Sequence, residues 1–344
     1  MQKLLTVTVP CYNSQDYLRR AVESLLSGGE RLELLIVDDG STDSTGQIAE
    51  EYAARCPGLV RVIHRQNGGH GPAVMSGLQE AQGLYFKVVD SDDWVDRDAL
   101  KRLLDTLEEM NRAGNCSDLV VTNYLYDHGE EGKRKRIHYR GTLPVWRRIT
   151  WDEVGRFRMG SYLMMHAVTF RTELLKNSGL ALPEHTFYVD NIYVYVPMAQ
   201  VKTLYYLDAD LYHYCIGRPD QSVNEAVVLS RLDQQLRINR IMLDSMDPEQ
   251  IENPRHREYM LSYLELITTA TYTYLMRTGK KEDERRAMDF LAEIRDGYPA
   301  VYRYLTSAPV FRHPARAVVA LPNRIVFPVT RVAYRVMQRI FGFN

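Results

Sequence analysis

Cysteine is scarce in this 344-residue chain: Cys11, Cys56, Cys116 and Cys215 show neither a CxxC pair nor a metal-ligand spacing. Four such residues cannot make a disulfide framework and predict a reducing, cytoplasmic setting. No run approaches the roughly 18 apolar residues that a membrane-spanning helix needs. The first predicted strand starts so near Met1 that no secretory leader is expected. Net charge is nearly absent too. Lys and Arg total 43 against 44 Asp and Glu, a balance of −1 that lacks the basic excess of a general nucleic-acid binder. No GxGxxG follows the first predicted strand, so a dinucleotide phosphate loop is excluded, and no GxxxxGK[ST] supports an ATPase. There is no internal repeat and no low-complexity stretch.

What is present is an ordinary globular composition, 45% hydrophobic and 25% charged, long enough for one large domain or two of common size. Short apolar runs alternate with helical patterns over the first 125 residues. Leu4–Val9, Leu32–Val37, Val60–His64, Tyr85–Val89 and Asp118–Tyr124 read as strands. Helical periodicity falls on Tyr17–Leu26, Ser44–Ala54, Pro72–Ala81 and Asp98–Asn111. Strands joined by helices of this length predict an α/β domain with a mainly parallel sheet covered on both faces. Tyr126–Arg148 reads as a hairpin or insertion, Met164–Phe170 as a strand, and Tyr188–Ala199 as a helix or mixed segment. Thr203–Leu207 and Leu211–Ile216 read as two more strands. From Val227 onward the pattern is helical, over Val227–Leu243, Pro254–Met276 and Lys281–Ile294. The expected division is 1–225 for the α/β domain, with halves 1–125 and 126–225, and 226–344 for a helical C-terminal region.

Ligands of open α/β sheets bind at the carboxyl ends of the strands. Four of those ends carry chemistry here: Pro10-Cys11-Tyr12-Asn13, Asp38-Asp39-Gly40-Ser41-Thr42-Asp43, Asn67-Gly68-Gly69-His70-Gly71 and Asp90-Ser91-Asp92-Asp93-Trp94. Carboxylates two residues apart, as in Asp90 and Asp92, share a side if strand geometry continues. Oxygen ligands of this kind suit Mg²⁺ or Mn²⁺, which are commonly bound by one or two carboxylates plus substrate phosphates. A diphosphate leaving group fits such a site.

PCYNSQDYL, LELLIVDDGSTDST, the Asn-Gly-rich segment and VVDSDDW occur in the order and spacing of family-2 glycosyltransferases, of the bacterial cell-surface polysaccharide type. The resemblance is strong over about residues 3–110 and weaker to about 224. It implies a GT-A nucleotide-sugar-binding fold and an inverting transfer from a nucleotide sugar, with UDP the nucleotide of family habit. It places Pro10, Tyr12 and Asp39 around the nucleoside, Asp39 facing the base. Asp90 and Asp92 match the metal-binding DxD, Asp90 towards the ribose and Asp92 towards a divalent Mn or Mg ion. Asp93 is in reach of the same ion, and His213 would complete its shell. FYVDNIYVY resembles the segment that supplies the catalytic base, which falls on Asp190. YHYCIGRPDQSVN resembles a donor-covering loop whose Arg218, Gln221 and Ser222 would meet the diphosphate. The acceptor implied is a glycan, lipid-linked or cell-envelope hydroxyl.

Two positions depart from the family pattern. Val189 stands where a Glu is frequent, and Ala73-Val74-Met75 stands where Ala-Arg-Asn is common. His70 and Lys87 are the cations placed to substitute for that Arg. Asp38 and Asp43 read more simply as turn and cap residues, His64 and His166 as structural, and the tyrosines of 193–214 as core and rim. The other functions weighed are a non-catalytic nucleotide-sugar binder and a nucleotidyltransferase, the latter lacking its Gly- and Arg-rich loop after strand one.

Acidic residues vanish after Asp296, while seven arginines from Arg303 to Arg339 remain, which leaves the first 296 residues at about −8. Val329, Val332, Ala333, Val336 and Ile340 recur at helical steps beside Arg331, Arg335 and Arg339. That pattern fits either an anionic membrane surface or the acidic body of the protein itself. The expected location is cytoplasmic, with peripheral contact at the inner face of the cell membrane as the first of those alternatives.

Overall fold

The computed structural model describes residues 3–127, 134–157, 162–216 and 225–306. Two compact units emerge, Met1–Gly155 with Leu163–Gly217, and Arg156–Tyr162 with Arg218–Asn344.

The first unit is an α/β layer structure. Strand β1 (Leu5–Cys11) leads to helix α1 (Leu18–Leu25), β2 (Leu32–Asp38), α2 (Thr45–Arg55), β3 (Val60–His64), α3 (His70–Glu80) and β4 (Tyr85–Val88). Then come β5 (Trp94–Val95), α4 (Arg97–Arg112), β6 (Leu119–Asp127), β7 (Arg134–Ile137) and β8 (Arg148–Thr150). Strand β9 (Val168–Arg171), α5 (Thr172–Asn177), α6 (Val189–Met198) and β10 (Thr203–Cys215) complete it.

Every residue of β1 and β2 is buried, as expected of strands covered on both faces. Helix α1 buries Leu18, Ala21, Val22 and Leu25, the i, i+3, i+4, i+7 stripe that its sequence writes. Helix α4 starts where the Asp96 side chain accepts from the Ala99 amide, a cap worth about 1 kcal/mol. It covers the sheet with Leu100, Leu103, Leu104 and Leu107.

Strand order is β3-β2-β1-β4-β9-β6-β10-β5, with β7 beside β6 and β8 beside β10. The sheet is parallel through β3-β2-β1-β4 and again between β6 and β10. Between these blocks β9 runs antiparallel to both β4 and β6. The expected parallel character therefore holds within each block, and β9 makes the whole sheet mixed. Only its second half is extended: Met165–Ala167 is a 3₁₀ turn where a strand was expected from Met164.

Strand β10 is continuous, although its sequence reads as two strands. Its register with β6 shifts between Tyr206 and Asp210 and again before Tyr212. The polar Asp208-Ala209-Asp210 step is tolerated because Asn123 donates to both carboxylates, at 2.8 and 2.9 Å, and Arg136 and Arg140 pair with Asp208.

The second unit is helical: α7 (Glu225–Leu229), α8 (Leu232–Asp244), α9 (Pro254–Arg277), α10 (Lys281–Gly297) and α11 (Pro299–Thr306). The single helix expected over Val227–Leu243 breaks before Leu232. Asn253 caps α9 by accepting from the Arg255 and His256 amides, with Pro254 in the first turn. Helices α8 and α9 share a buried polar ladder in which Asn239 donates to Thr271 and accepts from Thr268. Among the described residues no helix is long and apolar enough to cross a membrane. The basic segment Val329–Ile340 lies outside the described residues.

Candidate active site

The loops that leave β1 and β2 are cross-linked. Asn13 accepts from the Thr42 amide at 2.8 Å, Ser41 from the Asn13 amide at 3.0 Å, and Thr45 from the Ser14 amide at 2.7 Å. Asp43 accepts from Gln15 and Thr45 amides, so it acts as the turn and cap residue its position suggests. Asp38 is structural as well, accepting from the Ser41 amide and meeting His64. Pro10 is buried within β1, whereas Tyr12 is 50% exposed and offers its ring to a ligand.

Asp39 is almost fully buried, and its carboxylate gathers the glycine-rich segment. It accepts from the Gly69 amide at 2.7 Å and the Gly68 amide at 3.1 Å, and pairs with the Arg65 guanidinium. Asn67 donates to the Asp39 carbonyl at 2.9 Å. Sequence reading missed Arg65. Its signal was available, since it follows β3 directly, at a strand end like the other marked positions.

The glycines allow a close approach. Gly69 has φ +92, and the Gly68 carbonyl accepts from the His185 amide at 2.7 Å. A Cβ on Gly71 would stand 2.9 Å from Leu182 Cβ and 3.0 Å from the Pro183 carbonyl oxygen. The segment 182–188 thus lies directly on the glycine-rich loop. It passes through two left-handed residues, His185 at φ 46 and Tyr188 at φ 64, before α6 begins. Asp190 sits in the first turn of that helix. Val189, where the family has an acid, is buried.

His70 opens α3, and its Nε2 lies 2.8 Å from Asp90 Oδ1. Burial lowers the affinity of His70 for a proton, but the Asp90 bond and the charges of Asp190 and Asp92 outweigh it and raise its pKa. Burial lifts Asp190 to about 6, with His70 pulling it down and Asp90 pushing it up. For Asp90 burial acts upward, yet the His70 bond and charge hold it below the usual carboxylate value.

Asp90-Ser91-Asp92-Asp93 is a turn in which the Asp93 amide donates to the Asp90 carbonyl, so the strand does not continue through the motif. Ser91 meets Ser14 at 2.8 Å and ties this turn to the loop after β1. Asp92 is half-buried, and its charge acts on both His70 and Asp93. Asp93, expected within reach of the divalent ion, is held by two hydrogen bonds. It is buried, with Oδ2 accepting from the Tyr212 hydroxyl at 2.6 Å and Oδ1 from the Cys215 amide at 2.8 Å. Those bonds make it the anchor between the acidic turn and β10. The Tyr212 oxygen also accepts from the Asp90 amide at 3.2 Å.

His213 is the residue expected to complete the metal shell. It stacks on Trp94 at 5.1 Å and its Nδ1 lies 3.6 Å from Asp127. Successive side chains of a strand alternate in direction, so with Tyr212 at the acidic turn His213 faces away from it. His166, expected to be structural, takes the place near the carboxylates. One ligand atom each of Asp90, Asp93 and His166 lies within 4.8 Å of the others. The His166 ring stacks on Tyr214 at 4.4 Å and meets the edge of Tyr212 at 4.7 Å, and its Nδ1 has no hydrogen-bond partner among the described residues. Burial lowers His166 to about 4, so it is a neutral imidazole at ordinary pH, the form that binds metals. No local signal marks it; the antiparallel insertion of β9 next to β4 brings it there.

Neither cation suggested for the missing Arg is idle. His70 holds Asp90, and buried Lys87 donates to the His166 carbonyl at 2.8 Å and the Val168 carbonyl at 3.2 Å. Burial lowers Lys87 to about 7, the charge of Asp90 opposing. Arg218, Gln221 and Ser222 lie outside the described residues.

Residues 6–167 match the family described as glycosyl transferase family 2. EpsJ of Bacillus subtilis (strain 168), an uncharacterized glycosyltransferase, is 37% identical over 223 residues, 62% of this chain and 61% of EpsJ. The chain spans 61% of EpsJ, 60% of EpsH of the same organism, and 42% of GlyG of Streptococcus pneumoniae. The structure of S. aureus TarS 1–349 in complex with UDP-GlcNAc superposes with a TM-score of 0.67 at 22% identity, covering 96% of this chain and 91% of that one. The mannosyltransferase PcManGT from Pyrobaculum calidifontis, in complex with GDP-Man and Mn²⁺, gives 0.55 at 15% identity, covering 100% and 89%. A marked strand end at each of four parallel strands, the fold and the family match agree: residues 6–167 form a glycosyl transferase family 2 domain, and the chain shares its GT-A fold with TarS.

Proposed function

We propose that this chain transfers a sugar from a nucleotide-sugar donor, with UDP as the nucleotide, to a hydroxyl of a glycan, lipid-linked or cell-envelope acceptor, with inversion. The observation that carries the reading is the convergence of Asp39, Asp90, Asp92 and Asp190 on one glycine-rich loop, through Gly68, Gly69 and His70. Tyr12, Asp39 and Arg65 would receive the nucleoside, Pro10 shaping the wall behind them. TarS and PcManGT, seen with UDP-GlcNAc and with GDP-Man and Mn²⁺, support a nucleotide-sugar donor.

A hard divalent cation fits the donor set. Asp90 and Asp92 offer carboxylate oxygens, and ligand atoms of Asp90, Asp93 and the neutral His166 imidazole lie within 4.8 Å of one another. Such a cation, when bound, neutralises charge on the departing nucleoside diphosphate. Asp190 accepts the proton of the acceptor hydroxyl while that oxygen attacks the anomeric carbon. The bond from that carbon to the diphosphate breaks, and its electron pair leaves with the nucleotide. A carboxylate with a pKa near 6 is suited to this, being ionised at neutral pH yet basic enough to take a proton. Its placement at the start of α6, behind two left-handed residues, fixes it relative to the donor loop. The arginine stripe of the tail supports reversible contact with an anionic membrane, where lipid-linked or envelope acceptors are made.

Calorimetric titration with UDP and GDP, with and without Mn²⁺, tests the donor side. Micromolar binding of one nucleotide that weakens in chelator supports the reading. Absence of binding by both, or binding equally tight in chelator, contradicts it.

A further inference from the structure

Lys87 is the charged residue that the proposed chemistry leaves unused. It lies on β4 between Phe86 and Val88, both fully buried, and is itself 1% exposed. Its Nζ forms no ion pair with a carboxylate among the described residues. It donates instead to the carbonyls of His166 and Val168, at 2.8 and 3.2 Å, and stands 5.4 Å from the centre of the Tyr212 ring.

Its position in the sheet explains this choice of partners. The β4–β9 ladder runs only over Tyr85↔Arg171 and Phe86↔Phe170 and then opens. Residue 87 is the first beyond the last pair. From there the Lys87 side chain, not the backbone, joins β4 to the turn that precedes β9. Thr122 donates to the Ala167 carbonyl at 3.4 Å from the other side, so side chains hold all three carbonyls from His166 to Val168. The His166 of that turn has a ligand atom within 4.8 Å of those of Asp90 and Asp93, and Tyr212 donates to Asp93 at 2.6 Å.

An ammonium in a dry sheet is unfavourable for stability, because the charge loses its hydration and two carbonyl dipoles replace only part of it. An apolar side chain would avoid that penalty but would leave the His166 and Val168 carbonyls without the donor they share. A buried side chain whose hydrogen bonds all go to the turn carrying His166, and which feels the charge of Asp90, points to the site beside it.

We propose that Lys87 is a positioning residue of the donor site: it fastens the His166–Val168 backbone where the β4–β9 ladder opens, and so holds His166 and Tyr212 against Asp90 and Asp93. The inference rests on the nucleotide-sugar reading. It is tested on the full chain with K87M, which keeps most of the volume and removes the donor, and K87R, which keeps the cation and its donors. Thermal unfolding and calorimetric titration with UDP plus Mn²⁺ are measured on each. K87M, titrated well below its own unfolding temperature, is expected to bind UDP at least tenfold more weakly, while K87R recovers most of that loss. K87M binding UDP within twofold of wild type overturns the inference and leaves the donor reading intact. Weakened UDP binding in K87M that K87R does not recover makes Lys87 merely structural and also overturns it. Wild type that binds neither UDP nor GDP overturns the donor reading, and this inference with it.

Discussion

The proposed base gives the enzyme a specific acid limit. Burial sets Asp190 near 6, about two units above an ordinary aspartate, and the ionised form is the one that accepts a proton. Activity should therefore rise with pH through 6 and level off above 7. About nine-tenths of Asp190 is ionised at pH 7 and about one-tenth at pH 5, so kcat/KM should fall roughly tenfold between them. His70 supplies a second test of the same physics. It is the main group opposing the upward shift of Asp190, and its bond to Asp90 needs only a donor. His70→Gln keeps a donor and removes the charge, so Asp190 should bind its proton more readily and the acid limb should move to higher pH. The assay is nucleoside diphosphate release at saturating Mn²⁺ from pH 4.5 to 8, read as kcat/KM so that the free enzyme is reported. A profile flat down to pH 5, or a limb that moves to lower pH in His70→Gln, refutes the reasoning. Asp190→Asn should lower kcat by about 10²–10⁴-fold with little change in donor affinity. Joint loss of affinity and turnover would mark Asp190 as structural.

Asp92→Asn should leave the fold intact and lower turnover by about 10²-fold or more, with chelator producing a comparable loss in wild type that Mn²⁺ reverses; full activity in excess chelator contradicts the metal assignment. Gly71→Ala should lower kcat by about 10²-fold, because a Cβ there meets the Pro183 carbonyl at 3.0 Å and displaces the segment leading to Asp190, and a displacement of this order is felt at the reacting atoms. Unchanged kcat in Gly71→Ala would show that the two segments move independently. A chain ending at Pro322 should lose binding to anionic vesicles, since Arg324, Arg331, Arg335 and Arg339 are together worth about 3–4 kcal/mol at such a surface; equal sedimentation with and without the tail contradicts membrane contact.

Much of the donor half was legible because its signals are local. Buried parallel strands write continuous apolar runs such as LLTVTV and LELLIV, and their carboxyl ends carry the polar residues that the sheet cannot bury. Asp39, Asp90 and Asp190 could be singled out on that basis and by family resemblance, and the structure brings all three to the glycine-rich loop. What escaped depends on long-range pairing. The antiparallel insertion of β9 cannot be read from the sequence around Val168, and only that insertion delivers His166 and the carbonyls that Lys87 holds. Strand phase is equally hard to read: Tyr212, one residue before His213, is the side chain of β10 that donates to Asp93. Likewise, β10 reads as two strands because its polar middle looks like a turn until Asn123, Arg136 and Arg140 arrive from elsewhere in the chain to satisfy it.

The most direct test of the account is release of nucleoside diphosphate from a panel of UDP- and GDP-sugars by the purified full chain with Mn²⁺, run beside Asp190→Asn. Release from one donor class by wild type, stopped by chelator and at least about 100-fold slower in Asp190→Asn, is the predicted result. Tight binding of a nucleotide sugar with no release from any donor, in the presence of cell-envelope extract as acceptor source, would contradict it and make the chain a binder that has lost turnover.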